Sequence, residues 1–261
     1  MIAVDEALLE ELRVIAERAG EAILEIYKDD IEVREKADSS PVTAADEAAE
    51  AVILEALAKL APEVPIVSEE SFEAGHIPEV GDRPFWLVDP LDGTKEFISR
   101  NGEFTVNIAL IVEGLPAAGV VHAPALGRTW LGARGIDGGK ALEIANGATP
   151  RPVSVRDLPN DGVTVVASRR HGEAADLSPY LGERAVAAQV SAGSSIKFCL
   201  VAGGEADLYP RFGRTMEWDT AAGQAILMAA GGEVIELDGR PFTYGKPGFE
   251  NPHFVARGWR T

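Results

Sequence analysis

The chain reads as a mixed α/β protein, an α+β first half joined to an α/β second half. Three observations predict this. Apolar residues near the N-terminus recur every three or four positions, the period of a helix buried on one face. Short runs rich in Val, Ile, Phe and Trp follow one another between Ile66 and His122, as sequential strands do. Beyond Gly147, strand-like and helix-like segments alternate, the pattern of an α/β layer.

Leu8, Leu12, Ile15, Ala19, Ile23 and Ile26 predict a long amphipathic helix ending near Tyr27 and packed on a sheet. A second helix is predicted from Ala44 to Leu60, bounded by Ser39-Ser40-Pro41 and Pro62. Strands follow at Ile66-Val67, Phe85–Val88, Thr105–Val112 and Ala117–His122, expected to be sequential and antiparallel, with Glu113-Gly114-Leu115-Pro116 as the last turn. The second half is expected to run strand Val163–Ala167, helix Glu173–Leu181, strand Val186–Val190, helix Ser194–Ala202, strand Ala206–Tyr209, helix Thr220–Ala230 and strand Glu233–Glu236. The stretch from Gly132 to Arg151, rich in Gly, Ala and Asn, is the candidate junction between halves 1–147 and 148–261. A cleft between two halves is a common place for a small-molecule site.

The 261 residues suffice for one large domain or two joined halves, and 46% hydrophobic with 25% charged residues is ordinary globular composition. A formal charge of −18 disfavours non-specific nucleic-acid or anionic-lipid binding. The single cysteine, Cys199, excludes an intrachain disulfide and a multi-cysteine zinc site, and is expected to be a packing thiol. No apolar run approaches the roughly eighteen residues of a membrane span, and the N-terminus opens with acids. The expectation is a cytoplasmic monomer or homodimer, with peripheral membrane association left open.

The chemistry gathers around Phe85-Trp86-Leu87-Val88-Asp89-Pro90-Leu91-Asp92-Gly93-Thr94. Two acids at the end of an apolar strand repel each other and lose hydration, and a divalent cation between them resolves both costs. The same residues also read as a turn followed by a helix cap. Glu69 follows another short apolar run, Pro65-Ile66-Val67, and supplies a third acid at a strand end. Asp219 falls at the expected N-cap of an Ala-rich helix, and Thr43 with Asp46 fits a capping box, so helix capping alone explains both.

Together, Glu69, the Asp89–Thr94 box and Trp218-Asp219-Thr220-Ala221-Ala222-Gly223 resemble the inositol monophosphatase superfamily of lithium-sensitive, magnesium-dependent phosphatases. The twenty-residue spacing of Glu69 and Asp89 agrees with that family. The resemblance runs nearly the whole chain and implies a layered α-β-α-β-α sandwich. Within the superfamily, Trp86–Phe97, Arg100–Leu110, Gly193–Ala202 and Tyr209–Gly213 look like the bacterial CysQ-type 3'(2'),5'-bisphosphate nucleotidases. Lys95-Glu96 separates that group from the inositol phosphatases.

The resemblance implies two to three Mg2+ ions. Glu69, Asp89 and the Leu91 carbonyl would hold one, Asp89, Asp92 and Asp219 a second, and Asp46 would help hold a third. Thr94 would orient the attacking water, with Asp46 or Glu69 taking its proton. Thr94, Lys95, Ser168, His171, Gly193, Lys197 and Asp219 would bind the substrate, adenosine 3',5'-bisphosphate. The 2',5' isomer and 3'-phosphoadenylyl sulfate are also implied, and sulfur assimilation as the setting. Arg169, Arg170 and Arg211 are further candidates for a local positive field, or surface charges only, and Lys197 also reads as a residue of a solvated helix face. The sequence departs from the group's pattern at Arg169-Arg170-His171 and Arg214-Thr215-Met216-Glu217, which leaves the substrate range open. Competing readings are an inositol- or sugar-phosphate phosphatase and a nucleotide sensor without catalysis.

Overall fold

A computed structural model describes residues 2–28, 33–35, 41–168, 178–181 and 184–260. The N-terminal pattern forms α1 (Glu6–Lys28). The Asp5 carboxylate accepts the Leu8 N–H at 2.9 Å, satisfying one of the donors a helix start leaves open. A short ribbon, β1 (Val33–Glu35) paired with β2 (Pro41–Thr43), leads into α2 (Ala44–Leu60). Leu12, Ile15, Ala19 and Ile23 of α1 pack with Ala49, Ile53 and Leu57 of α2 in one buried cluster.

That cluster covers one face of a seven-stranded sheet whose strands lie in chain order: β3 (Ile66–Ser68), β4 (Phe85–Asp92), β5 (Thr105–Val112), β6 (Leu115–Ala123), β7 (Arg128–Ala133), β8 (Lys140–Ala145) and β9 (Arg151–Pro152). Trp86 and Val88 point to the helices, Phe85 and Leu87 to the opposite face. A strand buried on both faces must be apolar at every position, which is why this run does not alternate.

Three expectations need correction. β3 runs parallel to β4, not antiparallel, because α3 (Glu69–Glu73) and the following loop return the chain to the same end before β4 begins. The turn after β5 is Glu113-Gly114 alone: Val112 and Leu115 are register partners, so Leu115 and Pro116 belong to β6. The stretch taken as a junction, Gly132–Arg151, holds the end of β7, all of β8 and the start of β9. Gly132 within it serves packing instead. A Cβ on Gly132 would lie 2.4 Å from the Ile226 Cα, and one on Gly119, its register partner, 2.9 Å from the Ala222 Cα. These positions let α7 (Ala221–Ala229) lie close against the sheet.

A second, five-stranded sheet has the order β12 (Val186–Ser191), β11 (Val163–Ala167), β13 (Leu208–Arg211), β15 (Phe254–Arg257), β14 (Glu233–Glu236). β11 is parallel to both its neighbours, and β15 is antiparallel to both of its own. A small parallel pair joins β10 (Arg156–Asp157) to β16 (Trp259–Arg260). Between the sheets lie α6 (Ile196–Ala202) and α7, whose Phe198, Cys199, Ala222 and Ile226 share a core with Phe85 and Trp130 on one side and Tyr209 and Phe254 on the other. Cys199 is the packing thiol expected. Leu181 of α5 (Ser178–Leu181) packs with Val163, Val165, Leu208 and Val255 on the outer side. The layers are therefore helix, sheet, helix, sheet, helix.

Candidate active site

β4 carries the centre of the site. Its pairing with β5 slips between Asp89, opposite Asn107, and Asp92, opposite Thr105. One extra residue on β4 makes this a bulge, and Pro90, which has no N–H to give the ladder, sits inside it. In an unbroken strand, residues three apart face opposite sides. The bulge reverses that, so the Asp92 carboxylate reaches the Asn107 amide at 3.4 Å, beside Asp89. Leu91 N–H donates to Asp89 Oδ1 at 3.1 Å. Gly93, at φ +95°, then turns the chain into α4 (Thr94–Ile98), of which Thr94 is the first residue.

Glu69 begins α3 directly after β3, beside β4. Glu50 of α2 fixes that junction, accepting hydrogen bonds from the Ser68 hydroxyl and from Ser71 N–H and Oγ at 3.1 and 3.0 Å. Asp46, 1% exposed, occupies the first turn of α2. The capping-box reading of that residue depends on the Thr43 side chain, which lies outside the described residues. Contrary to expectation, Asp219 is not the N-cap of α7. It ends a single 3-10 turn, Glu217–Asp219, and Thr220 takes the cap position. The Asp219 carboxylate instead accepts the Met216 N–H at 2.9 Å, and Asn251 Nδ2 donates to Met216 O at 2.6 Å.

The electrostatics tie these acids together. Burial raises the Asp89 carboxyl well above its ordinary range, and the charges of Glu69, Asp92, Asp219 and Asp46 raise it further. Asp92 is raised by burial, against the pull of Lys197 and hydrogen bonds from Asn107 and Ser195. Asp219 is raised to about 7 by burial and then by Asp92, opposed by the Met216 N–H, Arg211 and Arg214. Among the described residues no three such side chains are already drawn into a ready-made cage. They share a field, not a grip. Five hard carboxylates, three of them held above their ordinary range and the other two bearing on Asp89, are donors suited to a hard divalent cation.

Beside the acids, Asp92, Lys95, Ser168, Gly193, Lys197 and Asp219 line one pocket. Lys197 is 5% exposed, so it does not sit on a solvated helix face. Its ammonium donates to Ser194 O at 2.6 Å and Ala192 O at 3.4 Å and lies 5.3 Å from the Tyr209 ring centroid. Burial pushes its pKa down to about 8, with Asp92 pulling it back up. Asp46, Glu69 and Asp89 are not in the pocket wall, and they join the site through the shared field on Asp89. Arg211 shares the wall. Arg169, Arg170 and His171 lie outside the described residues.

Sequence reasoning passed over Asn107 and Ser195. Asn107, 1% exposed, donates to Ser195 Oγ at 3.0 Å, and Ser195 Oγ donates to Asp219 O at 2.8 Å. An amide inside the apolar run Thr105–Val112 was the available signal, since a buried polar side chain needs a partner.

Acids gathered at a strand end beside a buried lysine suit a divalent cation and an anionic ligand, the two needs of a phosphate-ester hydrolase. The chain belongs to the inositol monophosphatase family, whose model its residues 5–258 match. It is 47% identical over 250 residues to the 3'(2'),5'-bisphosphate nucleotidase CysQ of Shigella flexneri, covering 95% of this chain and 98% of that one. The CysQ of Salmonella typhimurium is 48% identical with the same coverage. Among solved structures it is similar to CysQ from Bacteroides thetaiotaomicron, with a TM-score of 0.78, 38% identity and 98% of each chain covered. An inositol monophosphatase from Anabaena has a TM-score of 0.72 at 26% identity, over 97% of this chain and 91% of that one. Among the described residues no helix is long and apolar enough to cross a membrane.

Proposed function

We propose that this chain hydrolyses the 3'-phosphate of adenosine 3',5'-bisphosphate, giving AMP and inorganic phosphate, in a magnesium-dependent reaction in the cytoplasm. The observation that carries the reading is the set of four acids bearing on the buried Asp89, with the buried Lys197 on the wall of the adjoining pocket. The identity to CysQ supports the choice of substrate.

Residues 1–147 would contribute Glu69, Asp89, the Leu91 carbonyl and Asp92, and residues 148–261 Asp219, to hold two Mg2+ ions, with Asp46 sharing a third. Bound there, magnesium supplies Lewis acidity and charge neutralisation for phosphoryl transfer to water. Thr94 orients the attacking water through its hydroxyl, and Asp46 or Glu69 takes the proton. With its pKa near 8, Lys197 stays mostly protonated at neutral pH, so it presents a cation to the polyanionic ligand from a dry wall where the charge is poorly screened. Lys95, exposed on α4, adds a second positive charge at the pocket mouth. Ser168, Gly193 and His171 contact the nucleoside.

A substrate panel with magnesium or with chelator tests the reading. We expect kcat/KM for the bisphosphate at least tenfold above that for inositol 1-phosphate, and no turnover of either after chelation. Equal or faster release from inositol 1-phosphate would transfer the chain to the inositol phosphatases, and nucleotide binding without turnover would make it a sensor.

A further inference from the structure

The end of β4 and the turn that opens α6 lie about a hundred residues apart in the chain, and one clasp joins them. Glu103 stands in the loop between α4 and β5. Its carboxylate accepts the Gly193 N–H at 2.7 Å, and its carbonyl accepts the Ser194 hydroxyl at 2.7 Å. The same hydroxyl lies 2.8 Å from the Asp92 carbonyl, so its single proton is shared between the two strands of the clasp. The fit leaves no spare room. A Cβ on Gly193 would lie 2.7 Å from Glu103 O, and one on Gly93 would lie 2.2 Å from Ser194 Oγ.

Ser194 holds φ +48°, a conformation that costs a residue with a side chain of order 1 kcal/mol or more and persists where the surroundings enforce it. The same turn holds Ser195, the next residue, and Lys197, three on from Ser194. Ser194 O receives the Lys197 ammonium at 2.6 Å, and Ser195 Oγ receives the Asn107 amide at 3.0 Å. The backbone that Glu103 grips is therefore the backbone that aims Lys197.

We propose that Glu103 and Ser194 are positioning residues for the nucleotide: they hold the Gly193–Ser195 turn against the end of β4, so that Lys197 meets the bound ligand in a prepaid orientation. This rests on the nucleotidase reading. Loss of the clasp weakens nucleotide binding and leaves the acids in place, because Asp92 keeps the Asn107 amide and Asp219 keeps the Met216 N–H when the Glu103 side chain is removed.

The test compares Glu103→Ala with Glu103→Gln, whose amide oxygen still accepts the Gly193 N–H, each checked for folding by its melting transition. In Glu103→Ala we expect KM for the bisphosphate and the inhibition constant of AMP to rise together by about tenfold, the loss of one charge-assisted hydrogen bond. Values of kcat and of the inhibition constant of inorganic phosphate should stay within about twofold, and Glu103→Gln should recover most of the loss. Ser194→Ala serves where Glu103→Ala does not fold, and should move the same two constants. A fall in kcat at unchanged KM, an equal weakening of AMP and inorganic phosphate, or a glutamine variant as impaired as the alanine one would each overturn the clasp. If the wild-type protein neither binds AMP nor hydrolyses the bisphosphate, the nucleotide reading fails by itself. The alanine-to-glutamine ratio of KM on the phosphomonoester that is hydrolysed then decides the clasp.

Discussion

Replacing Asp219 by asparagine should make the metal-free protein more stable and the enzyme inactive. The side chain is half-buried, and its carboxyl is raised from 3.8 to about 7. About three pKa units correspond to ~4 kcal/mol that the folded state loses when the proton leaves. Partial contact with solvent screens part of this, so we take about half, ~2 kcal/mol. The sign follows from proton counts. Between about pH 4 and pH 7 the folded state holds a proton that the unfolded state has released, so stability falls as pH rises through that window. Asparagine has no proton to lose, and its amide oxygen can still accept the Met216 N–H. In chelator at pH 8 the variant should melt about 4–8 °C above the wild type, at 2–4 °C per kcal/mol for a chain of this size. At pH 5 the gap should shrink to less than half. Added magnesium should raise the melting point of the wild type more than that of the variant, and kcat/KM of the variant should fall at least about a hundredfold. A variant no more stable than wild type in chelator at pH 8, or a gap independent of pH, would refute the view that these acids strain the fold for the sake of a cation.

Lys197→Met keeps the apolar stem and removes the charge, so kcat/KM for the bisphosphate should drop about tenfold to a hundredfold while inositol 1-phosphate is affected far less, which a two-substrate comparison reads directly. Asn107→Ala removes the donor shared by Asp92 and Ser195; turnover should fall about tenfold, with a higher magnesium concentration needed for half-maximal rate. Gly132→Ala puts a methyl group 2.4 Å from the Ile226 Cα, and denaturant unfolding should show a loss of about 2–3 kcal/mol, because backbone is what would have to move.

Much of the fold was legible because periodicity and hydrophobic runs are local. The strands Thr105–Val112, Val163–Ala167 and Glu233–Glu236 have the bounds read from the chain. β7 and β8 were not legible. Gly132 is a strand residue whose smallness answers to α7, nearly a hundred positions away, and no local pattern announces that partner. The parallel entry of β3 was hidden for a related reason, since strand direction depends on where the intervening loop returns the chain. Lys197 is the sharpest case in the site. Its neighbours in sequence allowed either a solvated helix face or a pocket wall, and only packing against Tyr209 and Ser194 O makes it a buried cation.

The box at the end of β4 divides the two contributions. The sequence by itself determined that Asp89 and Asp92 end an apolar strand, that Pro90 interrupts it and that Gly93 turns it, because each follows from one residue's own backbone and solvation preferences. Only the tertiary structure decided that the bulge turns both acids to one side, that Asp46, Glu69 and Asp219 bear on the same point, and that Lys197 stands next to them. Electrostatic repulsion and desolvation act through space, so their sum exists only once residues far apart in the chain have been packed together.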